Sequence, residues 1–321
     1  MQKDKPIKVY LLTGFLGAGK TTLLNSLLQQ SQDYRNIVIE NEFGKVNIDA
    51  SLVAAQIENI YELTAGCICC SLDNELLEVL GGILRLEERP DQIFIETTGI
   101  ADAGNIIGMF SLPDVKARFQ LVSTICVADA ENVEDRLGEV TEVGKQLSCA
   151  DVIVLNKTKD LPVPEQVRLQ ALLENVNPLA YITTTADGQV ALANMLPQER
   201  RVPAPVATPS AGDASCEVPA EKTPHKINNV LFESPQPFDL QMLAFVLELN
   251  FNVYTDQLYR IKGYVAVKDS PEKYLVQSTG NYLTIVPAGP WGDTPPSSTL
   301  VFIGKGLKTA TIERILRPAL R

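Results

Sequence analysis

The chain has 321 residues, with 28 Lys and Arg against 39 Asp and Glu and a net charge of −11. That length suits two domains with a core each, and the acidic balance argues against a general nucleic-acid or anionic-membrane surface. No apolar run approaches the roughly eighteen residues that a membrane span needs, Met1 to Lys8 is too polar for a signal peptide, and six cysteines with three in one tetrapeptide suggest a reduced, cytoplasmic chain rather than a disulfide framework.

Ile7 to Leu12 is an apolar, β-prone run, and residues 14–21 follow it as Gly-Phe-Leu-Gly-Ala-Gly-Lys-Thr. This fits the phosphate-binding loop pattern G-x-x-x-x-G-K-[ST]. Leu23, Leu24, Leu27 and Leu28 then recur at helical spacing, so the motif lies between a buried strand and a helix start, where its chemistry requires it. Glycines let the backbone curl its N–H groups toward an anion, and the helix N-terminus adds partial positive charge. Gly14, Gly17, Ala18, Gly19, Lys20, Thr21 and Thr22 are the expected nucleotide contacts. Lys20 is placed to neutralise the β- and γ-phosphates and Thr21 to ligate Mg2+.

Further β-prone runs cover 36–40, 92–96, 121–127, 151–155 and 180–184, with helix-like stretches at 21–30, 73–87 and 165–175. Such alternation predicts an α/β P-loop NTPase domain with a mainly parallel sheet covered on both faces. Ligands of such sheets bind at the carboxyl ends of the strands, and Gly14, Glu40, Glu96 and Asn156 all fall there. Glu96, ahead of Thr97-Thr98-Gly99, is a candidate to hold Mg2+ through water. The Gly99 N–H is a candidate sensor of the γ-phosphate, since no side chain blocks close approach.

Asn156-Lys157 resembles a guanine-reading pair, whose carboxylate normally stands three residues after the Asn. Here that position is Lys159, and Asp160 is one residue late. Either the loop bulges to bring Asp160 in, or guanine selection is weaker, and a plain polar cap on a strand end remains open.

Cys67-Ile68-Cys69-Cys70 places three thiols in four residues. They can converge on Zn2+ or another transition metal. A redox pair or a structural role remains open, although the spacing is not C-x-x-C. Glu40 and Glu42 are candidate further ligands. Cys126, in an apolar strand, reads as core. The one histidine, His225, leaves little scope for histidine chemistry.

Residues 197–224 are Pro-rich and poor in large apolar side chains, which reads as a linker. It divides a domain at 1–196 from one at 225–321. Beyond it, strands are expected at 227–232, 258–267, 273–279, 282–286 and 299–303, and helices at 238–250 and 308–317. That composition gives a smaller α+β domain.

The segments Gly14 to Thr22, Glu40 to Gly44, Glu62 to Cys70 and Glu96 to Asp102, together with the C-terminal Pro290 to Gly304, resemble the CobW subfamily of metal-handling P-loop GTPases. Its relatives include the hydrogenase and urease nickel-insertion GTPases. The resemblance covers nearly the whole chain. It implies slow, Mg2+-dependent GTP hydrolysis to GDP, transition-metal binding, and a role in metal homeostasis or in metal delivery, the latter to an apo-metalloprotein recipient. It further implies that Asp49 is a switch residue near Mg2+, and it allows a homodimer. Three departures stand out. The guanine motif is offset, Ala103 replaces the usual Pro after Ala101-Asp102, and the linker lacks a His-rich stretch. The rival readings are a nucleotide-switched metal sensor or scaffold, and a P-loop kinase, which the cysteine trio disfavours.

Overall fold

The computed structural model describes residues 5–40, 57–62, 72–99, 103–195, 227–253, 257–279, 282–292 and 294–321. Its first half runs β1 (Ile7–Thr13), α1 (Lys20–Gln30), β2 (Asn36–Glu40), β3 (Ile57–Glu62), α2 (Leu72–Ile83), β4 (Gln92–Glu96), α3 (Ala103–Met109) and α4 (Pro113–Lys116). It continues with β5 (Phe119–Asp129), α5 (Val133–Glu139), α6 (Thr141–Cys149), β6 (Val152–Asn156), α7 (Val163–Val176) and β7 (Tyr181–Thr184). The seven strands form one parallel sheet in the order β3-β2-β4-β1-β5-β6-β7. β2, β4 and β6 are buried at every position, which is why they read as near-continuous apolar runs rather than alternating ones. Leu23, Leu24, Leu27 and Leu28 put the stripe of α1 into the core.

The second half runs β8 (Ile227–Ser234), α8 (Leu240–Val253), β9 (Leu258–Ala266), β10 (Glu272–Thr279), β11 (Tyr282–Pro290), β12 (Ser298–Lys305) and α9 (Thr309–Leu316). Its five strands form an antiparallel sheet in the order β11-β10-β9-β12-β8. The expected P-loop α/β fold with a smaller α+β unit is what the chain adopts.

Several details differ from the pattern reading. β11 extends past 286 to Pro290, because it is the edge strand and Pro287 and Pro290 need not donate to a neighbour. α2 ends at Ile83 rather than at 87, after Gly81 and Gly82 weaken its last turn. β3 has no strong apolar signature, being a short sheet-edge strand with half its residues polar.

The two sheets share apolar packing. Leu147 of α6, Leu155 of β6 and Leu173 of α7 belong to one buried cluster with Ile227, Tyr259, Val301 and Ile303 of the second half. Arg260 of β9, 2% exposed, crosses the same boundary. It donates to the carbonyls of Ser148 and Ala150 at 3.2 and 2.8 Å and pairs with Asp151 at 2.8 Å.

Candidate functional site

The parallel sheet gathers the candidate residues at its carboxyl edge. The loop after β1 starts at Gly14, with φ 134. A Cβ there would lie 2.2 Å from the Val127 carbonyl oxygen, so neither the dihedral nor the space admits a side chain. Lys20 is nearly buried and donates to the loop carbonyls of Gly14 at 3.0 Å and Phe15 at 3.4 Å. The ammonium therefore lies inside the curl of the loop. Leu16, at its tip, is 70% exposed.

The Thr21 hydroxyl donates to Glu96 Oε1 at 2.9 Å. Glu96 ends β4, in register with Glu40 at the end of β2. In-register neighbours in a parallel sheet point to one face, roughly 4.8 Å apart along the hydrogen-bond direction. Two nearly buried carboxylates and a hydroxyl thus share one edge: Thr21 and Glu96 offer hard oxygen donors that suit Mg2+, and Glu40 stands on the adjacent strand end. Two adjacent carboxylates also favour a cation between them electrostatically. Gly99 follows, and a Cβ on it would lie 2.4 Å from the Leu16 backbone nitrogen. The Gly99 carbonyl accepts from the Gln146 side chain of α6 at 3.1 Å.

Asn156 ends β6 and donates to the Ala18 carbonyl at 2.9 Å, tying the strand end to the phosphate loop. Its Oδ1 and the Thr97 hydroxyl are buried with no hydrogen-bond partner among the described residues, which fits polar atoms waiting on a ligand. Lys157, at φ 62, pairs with Asp129 at 2.8 Å. Burial alone would raise the Asp129 pKa, but bonds from Lys157, Asn132 and the Glu131 N–H hold its carboxyl below the usual range. Thr158 donates through both backbone and side chain to the Thr185 carbonyl, joining the loops after β6 and β7. Asp160 is exposed in the turn beyond and makes no bond among the described residues.

Pattern reading missed Asp129 and Gln146. Both line a cavity of about 100 Å3 beside the phosphate loop, with Phe15 and Arg136. The Arg136 guanidinium lies over the Phe15 ring at 5.2 Å. A polar residue ending the apolar run of β5 could have flagged Asp129. No signal in the sequence marks Gln146, whose partner is 47 residues away.

Asp49, Glu42, Cys67, Cys69 and Cys70 lie outside the described residues, as does the linker at 197–224. Among the described residues no three His, Cys, Asp or Glu side chains cluster as a metal site, and no helix is long and apolar enough to cross a membrane. Cys126 is buried, as the apolar run implied.

Residues 8–184 match the family model described as CobW/HypB/UreG, nucleotide-binding domain. Residues 227–320 match the cobalamin synthesis protein cobW C-terminal domain. The chain is 35% identical over 309 residues to the zinc chaperone YjiA of Escherichia coli, covering 93% of this chain and 94% of that one. It is 38% identical over 195 residues to zinc-regulated GTPase metalloprotein activator 1 of Schizosaccharomyces pombe, covering 58% and 47%. The crystal structure of the Zn(II)-bound YjiA GTPase from E. coli is similar with a TM-score of 0.76 and 30% identity, over 99% of this chain and 100% of that one.

Proposed function

The chain belongs to the CobW/HypB/UreG family, and from that premise we propose that it is a Mg2+-dependent GTPase that binds zinc or another transition metal and couples GTP hydrolysis to handing the metal to an apo-metalloprotein. The observation that carries the reading is the edge where the Thr21 hydroxyl meets Glu96 at 2.9 Å and Glu40 stands in register beside it. Support also comes from the zinc chaperone and Zn(II)-bound GTPase to which the chain is similar along almost its full length.

In this reading Gly14, Gly17, Ala18, Gly19, Thr22 and Lys20 wrap the phosphates. Lys20 exchanges its loop carbonyls for phosphate oxygens and neutralises charge that builds as the bond breaks. Thr21 and Glu96, with Asp49, would hold Mg2+. Bound there, Mg2+ would supply further neutralisation of the phosphate charge. Gly99 brings its backbone close to the γ-phosphate, and Gln146 fixes that residue from behind. Asn156 and Lys157 frame the base pocket. Asp160, exposed and one residue late, reads guanine more weakly than a standard motif, so GTP is preferred over ATP by a reduced margin.

Cys67, Cys69 and Cys70 would bind the cargo metal as thiolates, with Glu40 and Glu42. Glu40 and Glu96 end neighbouring strands, so the cargo site and the nucleotide site share one sheet edge. Any rearrangement when the γ-phosphate leaves then changes the metal's ligand geometry. The reading assigns GTPase chemistry to 1–196 and recipient selection to 225–321, joined through 197–224. The test is zinc affinity with GDP and with a GTP analogue, and nucleotide affinity with and without zinc. The two couplings must be equal by linkage. Zinc affinity that ignores the nucleotide rejects the transfer mechanism.

A further inference from the structure

The antiparallel half carries a second cavity, of about 270 Å3, between α8 and α9. Leu247, Leu258, Phe302 and Ile312 form its apolar floor, and each belongs to the buried core of this half. Lys308 and Arg314 line its mouth. Both are exposed and make no ion pair among the described residues. Their surroundings run against the charge of the rest of the chain. Five basic residues and the single acid Glu313 fall in 305–321, within a molecule of net charge −11.

We infer that this cavity is a docking site for a short peptide segment of the metal recipient, one that presents an apolar anchor flanked by carboxylates. Interface energy concentrates where an apolar side chain fills a desolvated pocket, while a charged rim selects and steers the partner. This cavity offers that combination. Its volume is several times the ~30 Å3 share of one water, so it takes a whole side chain. Asn250, Gln257 and Thr311 also line it and offer hydrogen bonds to a peptide backbone, and the two cations at the rim match acidic flanks. Against a net charge of −11, a local basic rim beside an apolar well favours an acidic segment there. The inference rests on the proposal that the chain delivers metal to another protein.

Selection of a random short-peptide display library on the immobilised full chain tests it. Peptides joining Asp or Glu to a Leu, Ile or Phe anchor should be enriched. The best of them should bind the double variant Lys308→Glu, Arg314→Glu roughly tenfold more weakly or not at all. Both positions are exposed, so GTP hydrolysis and zinc binding should match the parent. Amide shifts on adding the selected peptide should centre on Phe302 and Ile312. Enrichment of basic peptides, unchanged binding to the double variant, or displacement of the peptide by laurate with equal or greater affinity would each overturn the docking site. None of these readouts depends on nucleotide-linked metal affinity. Failure here leaves the transfer mechanism standing, and failure of the zinc linkage leaves the peptide result intact.

Discussion

At the scale of single residues, Glu96 and Cys126 show how burial and partners divide similar side chains into different tasks. Glu96 is almost buried yet hydrogen-bonded to Thr21, beside a second carboxylate. Its charge is useful there only if a cation shares it. Glu96→Gln keeps the shape and removes that charge. The Mg2+ concentration for half-maximal GTP hydrolysis should rise on the order of tenfold to a hundredfold, as for other losses around a metal. An unchanged Mg2+ titration would remove Glu96 from the site. Cys126 is a thiol without such a partner. Burial pushes its pKa up to about 12, against a downward pull from Lys20 and with a small upward push from Cys149. At about pH 8, below even the ordinary thiol value, it stays protonated and shielded. Iodoacetamide should therefore spare Cys126 in the folded chain and label it in denaturant. Equal rates in both states would contradict the burial.

At the scale of elements, α6 is the joint between the nucleotide edge and the second sheet. Its Gln146 reaches Gly99, and the carbonyls at its C-terminal end are held by Arg260 of β9. Asp151, just beyond, completes the clasp and also accepts from the Thr124 N–H at 3.2 Å. Burial works to raise the Asp151 pKa, but Arg260 and Lys262 outweigh it and hold the carboxyl below its ordinary range. A carboxylate with a depressed folded pKa adds stability that is complete above the unfolded value of ~3.9 and fades as pH falls through the folded value. Asp151→Asn leaves a buried guanidinium without its counter-charge, which costs about 3–5 kcal/mol. Urea unfolding at neutral pH should show that loss. The gap between parent and variant should narrow only below about pH 4. A gap independent of pH would mean that the effect is packing rather than charge.

At the scale of the whole molecule, the two sheets differ in strand direction but not in core. Ile227, Tyr259, Val301 and Ile303 bury themselves against α6, β6 and α7 rather than against their own sheet alone. Parts that share an apolar cluster and a buried ion pair cannot unfold one at a time without exposing both. Calorimetry of the full chain should give one cooperative transition. Two resolved transitions would show that the shared cluster contributes little. The same continuity gives the nucleotide edge a packed route to the antiparallel sheet, from Gly99 through Gln146 and α6 to Arg260.

Local pattern was enough for the phosphate loop, because its chemistry is encoded in consecutive residues: Gly14, Lys20 and Thr21 must stand at fixed spacing whatever surrounds them. It was enough for the parallel strands and α1 as well, since burial on both faces writes itself as unbroken apolar runs. The resemblance of the chain to its family rested on the same kind of contiguous signal. What local pattern could not supply were pairings between distant segments. Gln146 on Gly99, Lys157 on Asp129 and Arg260 on Ala150 each join residues whose neighbours give no hint of the partner. α6 carries only a short apolar stripe, Val143 and Leu147, and sets a buried Gln146 and Ser148 beside it. The Gln146 amide finds a distant acceptor in the Gly99 carbonyl, while the Ser148 hydroxyl bonds back to the Gly144 carbonyl one turn earlier in the same helix. The sequence by itself determined the ligand class and the sheet, because both follow from residues close along the chain. Tertiary structure alone decided which side chains meet and how the two sheets share a core, because a hydrogen bond depends on distance in space, which the order of residues does not record.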